Sequence, residues 1–67
     1  MEREWLINCR NKKKHTQASI SQSVGISQQY YSKIEKGLRT PSTDVAMKIA
    51  NILEFKWTRF YEEQEQM

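Results

Sequence analysis

Apolar residues recur along this chain at three- and four-residue spacings and never in a sustained alternation, so the pattern predicts helices throughout. Trp5, Leu6 and Cys9 form an i, i+1, i+4 stripe that predicts a first helix over about residues 2–13. Ile20 and Val24 mark the inner face of a second helix running from Thr16, a suitable N-cap, to about Val24. Ala18 and Ser21 are small enough there for close helix approach. Gly25 follows where a chain leaving a helix commonly takes a left-handed residue, and Ile26 is the apolar residue of the turn. A third helix is expected to begin at Ser27, again a good cap, and to end at Gly37. Leu38–Pro41 reads as a loop, since the proline disfavours helix at Thr40. Val45, Ala46, Ile49, Ile52 and Leu53 give the strongest pattern, a fourth helix capped by Ser42 or Thr43. Trp57, Phe60 and Tyr61 predict a short last helix around Lys56–Tyr61, followed by a polar, frayed tail over residues 62–67.

The expected fold class is therefore all-α, a compact bundle of five short helices forming one domain over residues 1–67. At 67 residues such a core lies near the lower limit of independent stability. The lone cysteine and lone histidine exclude a disulfide framework and a Cys- or His-rich metal site, so no metal and no cofactor is expected. A single thiol, no secretory apolar region and no run near membrane-span length point to the cytoplasm and away from a membrane.

Charge changes the picture more through its distribution than its sum. The net charge of +3 is a weak pointer to nucleic acid. Residues 1–40, however, hold eight bases against three acids, and residues 41–67 hold three bases against five acids. One half suits a polyanion and the other suits solvent or a partner protein.

The third helix sharpens this. Projected at about 100° per residue, Gln28, Ser32, Lys36, Gln29 and Lys33 share one arc of roughly 140°. All are polar and none is acidic, while Tyr30, Tyr31, Ile34 and Glu35 occupy the remainder. Two short helices joined by a glycine turn can place the second helix in the DNA major groove while the first crosses the backbone. A glutamine amide donates and accepts at once, which matches the N6/N7 edge of adenine. A lysine reaches guanine acceptors or a phosphate. Ser27, Gln28, Gln29, Ser32 and Lys33 are accordingly expected to read bases. Thr16, Gln17, Lys36 and Arg39 are expected at the sugar-phosphate backbone, which sets register without reading sequence.

The run TQASISQSVGISQQYYSKIEKG, from Thr16 to Gly37, resembles the Cro/CI-type helix-turn-helix family of phage and bacterial regulators. Pro41-Ser42 and Ala46-Met47-Lys48-Ile49-Ala50 resemble that family's fourth helix, and the match extends from about Leu6 to Tyr61. The resemblance implies a lambda repressor-like domain in which glutamines at the positions of Gln28 and Gln29 read bases and Gln17 meets the backbone. It also implies a structural ion pair between Arg10 and Glu35. Four departures stand out. Tyr31 replaces a smaller aliphatic residue, so the packing is expected to open or the hydroxyl to reach the surface. Ser21 replaces a common alanine, Lys14-His15 a frequent glycine-aliphatic pair, and Glu54 the glycine that usually follows helix 4.

The expected function is a sequence-specific regulator of transcription, a repressor that occupies double-stranded operator DNA as a homodimer. An enzyme is not expected, since no phosphate-binding loop or metal spacing occurs and nothing brings Ser19, His15 and Asp44 together. The rival is an antitoxin-like or other protein-binding role on the same fold, with the aromatic segment Phe55, Trp57, Phe60 and Tyr61 as the surface for a protein partner or a second copy. Completion of a small core is the alternative use of those rings.

Overall fold

A computed structural model describes residues 2–62, so all of the expected polar tail beyond Glu62 lies outside the described residues. Five helices follow one another: α1 (Glu4–Lys12), α2 (Gln17–Val24), α3 (Gln28–Glu35), α4 (Thr43–Leu53) and α5 (Arg59–Glu62). No strand occurs among the described residues, and the fold is all-α.

Three of the helices start on side-chain caps that satisfy orphan amides of the first turn. Thr16 accepts from the Ser19 amide, and Ser19 returns a bond to the Thr16 amide, closing a reciprocal box at α2. Ser27 accepts from the Tyr30 amide at 3.0 Å, and Ser42 from the Val45 amide at 3.4 Å. Helix α1 starts at Glu4, later than the expected start at about residue 2. The Arg3 amide is drawn out of the helix to the carbonyl of Glu35, at 2.7 Å.

The core gathers Leu6 from α1, Ile20 and Val24 from α2, Tyr31 and Ile34 from α3, Ala46, Ile49 and Leu53 from α4, and Phe60 from α5. Every helix thus spends its apolar stripe on one interior, and α2 packs directly on both α3 and α4. The expectation for Tyr31 is corrected here. The packing does not open, and the residue is 0% exposed with its hydroxyl sealed in and without a hydrogen-bond partner of good geometry among the described residues. The last helix is also shorter than expected. Residues 57 and 58 form a turn, closed by the Arg59 amide donating to the Lys56 carbonyl, and regular helix begins only at Arg59. The C-terminal rings serve the core: Phe55 and Phe60 meet each other and Trp5 of α1 edge to face, with centroids 5.1–5.5 Å apart. The Tyr61 hydroxyl donates to the Pro41 carbonyl at 2.9 Å and ties this end to the loop before α4.

Candidate nucleic-acid interface

The geometry of the two-helix unit begins at Gly25. Its φ of +88° is open to glycine at little cost, and its amide caps α2 by bonding the Ser21 carbonyl. The Ile26 amide bonds the same carbonyl, so the chain turns sharply and re-enters helix after Ser27. This turn sets α3 against α2 with its polar arc outward.

Gln17, Ser27, Gln28, Gln29, Ser32, Lys33 and Lys36 line one open, shallow groove. Gln28, Gln29, Lys33 and Lys36 are exposed, and Ser32 and Gln17 are half-buried at the floor. Ser27 is exposed too, with its oxygen already accepting from the Tyr30 amide, which leaves its O–H to donate. Thr16 caps α2 beside this groove, and Arg39 stands exposed in the loop after α3.

The one acid of α3, Glu35, is turned away from the groove and is only 2% exposed. Arg10 Nε lies 2.6 Å from its Oε2, and Gln17 Nε2 donates to its Oε1 at 2.8 Å. Burial opposes the ionisation of Glu35, but the polar groups around it, Arg10 foremost, outweigh it and hold the carboxyl below the usual carboxylate range. The carboxylate in turn raises the Arg10 guanidinium above its ordinary value. Arg10 Nη1 also donates to the His15 carbonyl at 2.9 Å and so fixes the corner between α1 and α2. Paired and buried in this way, the carboxylate presents no negative charge to the groove. The Tyr31 phenol lies beside the pair, and burial, followed by the adjoining Glu35 carboxylate, pushes it well above its ordinary value.

Arg3, Tyr30 and the inward bond of Gln17 carry structure here that sequence spacing did not single out. Arg3 is 5% exposed, and its Nη1 donates to the Ile34 carbonyl at 2.6 Å and to the Arg39 carbonyl at 3.1 Å. Arg3 counted in the sequence only as one more base, and nothing local marks it as buried. Lys13, the residue after α1, is engaged away from the groove, with its Nζ 2.9 Å from Glu54 Oε2.

Two short helices, a glycine turn and an acid-free polar face on the second helix define a helix-turn-helix protein. The family model described as helix-turn-helix matches residues 6–60, and the chain belongs to that family, of the Cro/CI type. It is similar to the uncharacterised HTH-type transcriptional regulator YqaF of Bacillus subtilis (strain 168), with 41% identity over 63 residues that cover 94% of this chain and 83% of that protein. No solved structure matches the chain at a significant level. By family, the chain is a DNA-binding transcriptional regulator.

Proposed function

We propose that the chain recognises a specific duplex sequence through the groove-lining face of α3 and represses transcription by occupying an operator as a homodimer. The observation that carries this reading is the groove itself, where seven polar, non-acidic side chains converge at the helix-turn-helix while the nearby carboxylate is buried and paired. Gln28 and Gln29, in the first turn of α3, reach deepest and read adenine or another donor-acceptor edge. Ser27, Ser32 and Lys33 complete the base contacts. Thr16 and Gln17 sit at the start of α2, where amides and the helix dipole favour a phosphate. One N–H of the Gln17 amide serves Glu35, and the second is available to that phosphate. Lys36 and Arg39 flank the other end of the reading helix and hold the neighbouring backbone.

A dimer suits the dimensions. The described residues span 33 × 21 × 20 Å. Half-sites one helical turn apart place two reading helices about 34 Å apart on one face of the duplex, so two copies fit side by side within that interval. The reading places the protein with its DNA in the cytoplasm.

Selection of bound sequences from a random duplex pool tests the proposal. A two-fold-related motif is expected, with Gln28→Ala or Gln29→Ala relaxing preference at one position of each half-site. Arg39→Ala is expected to weaken all sequences alike. Uniform losses from both kinds of substitution would remove the base-reading assignment.

A protein-binding role is the second reading, and one observation favours it. Met47, 48% exposed, joins Ala50, Phe55 and Trp57 around a shallow apolar hollow that shares no residue with the reading groove. Copurification of a partner protein, with no salt-dependent affinity for duplex DNA, would select that reading.

A further inference from the structure

Arg39 is exposed and lies in a loop, yet three separate contacts fix it. Its amide donates to the Lys33 carbonyl at 3.3 Å, six residues back in α3. Its carbonyl accepts from Arg3 Nη1 at 3.1 Å, and that same nitrogen holds the Ile34 carbonyl at 2.6 Å. Its guanidinium lies over the Tyr30 ring, 5.7 Å from the centroid. Tyr30 belongs to α3 yet stands outside the polar arc, half-buried against the core. An unsupported arginine in a loop samples many rotamers, and ordering it at a phosphate costs side-chain entropy. A cation held over an aromatic face has already given up part of that freedom.

We infer that Tyr30 is a positioning residue, which holds the Arg39 guanidinium ready for the DNA backbone beside the end of the reading helix. The inference rests on the proposed DNA-binding function. Tyr30 itself touches no nucleotide in this arrangement. The ring faces a cation, so its π-system does the positioning and its hydroxyl does not. Because a phosphate contact carries no sequence information, the contribution is the same for every duplex.

A double-mutant cycle on the full chain tests this, using fluorescence anisotropy on the selected operator and on a scrambled duplex. Tyr30→Leu is expected to weaken binding about two- to fivefold on both duplexes, the range for an exposed cation–π contact. In an Arg39→Ala background it is expected to cost nothing further, and Tyr30→Phe is expected to bind like the unsubstituted chain. Equal loss in both backgrounds, loss confined to the operator, or equal loss from Tyr30→Phe would each overturn the inference. A measurement without substitution guards against a variant that misfolds. The Arg39 Nε–Hε vector in the DNA-free protein is expected to be ordered in NMR relaxation, and a freely mobile guanidinium overturns the inference. Salt-dependent binding by the unsubstituted chain with additive substitutions would remove the role of Tyr30 alone. An unsubstituted chain that binds neither duplex would remove the DNA-binding reading and this inference together.

Discussion

At Lys14 and Glu54 the backbone turns with φ of +60° and +62°, a region where a side chain crowds its own carbonyl. Both positions are ones where the family resemblance leads one to expect glycine, so the turns have been kept while the residue that makes them cheap has not. Lys14→Gly is expected to raise the unfolding free energy by about 1 kcal/mol. That corresponds to roughly 4–8 °C in a thermal melt followed by circular dichroism. Glu54→Gly gains less, because it also loses the surface pair with Lys13. Tyr31 holds a different kind of strain. Its hydroxyl is buried against the Arg10–Glu35 pair and makes no well-formed bond among the described residues. Removing a buried polar group that lacks a partner relieves a desolvation cost, so Tyr31→Phe is expected to stabilise the fold by about 1 kcal/mol. A lower urea midpoint in that variant would show that the hydroxyl is satisfied after all.

Three helices meet at Glu35, which receives Arg10 from α1 and Gln17 from α2 while belonging to α3. Removing one partner of such a pair leaves a charge stranded in the interior, so Glu35→Ala is expected to cost about 3 kcal/mol. A small domain is stabilised by only about 5–15 kcal/mol in all, and the change will be plain in a urea titration. The pair also sets an acid limit. The folded carboxyl is held below the ordinary value of about 4.3, so its contribution is complete above that value and is lost as pH falls through the folded one. Urea midpoints taken from pH 7 down to pH 3 should fall, and Glu35→Gln should flatten that fall at a lower plateau. The sequence indicated the four principal helices, because their caps and apolar stripes are local signals: Thr16 and Ser27 stand where caps were expected. It overstated the last helix, because Trp57, Phe60 and Tyr61 have helical spacing whether the backbone beneath them is helix or a series of turns.

At the scale of the whole molecule the two signs of charge are sorted along the sequence, and the basic half contains the groove of α2 and α3. If Lys36 and Arg39 each neutralise one phosphate in both copies, log affinity should fall with log salt at a slope of about −3.6. Affinity measured at 50 and 200 mM salt should then differ by roughly 150-fold, and a flat response would contradict the backbone assignments. The polar arc of α3 was legible because helical projection needs only one element. The contacts that hold its surroundings were not, because they join residues far apart along the chain. Arg3 meets Arg39 across 36 positions, and Tyr30 stacks under the same residue only once the loop has folded back. This has a practical meaning for anyone who wishes to transplant the reading helix. A peptide cut at Thr16 and Lys36 would leave behind both arginines that brace it, Arg3 and Arg10, and would keep the glutamines while losing the frame that aims them. A graft that keeps this frame needs Arg3 through Arg39 together with α4 and Phe60, whose side chains complete the core, and an affinity tag joined at the amino terminus needs a spacer long enough to leave Arg3 seated.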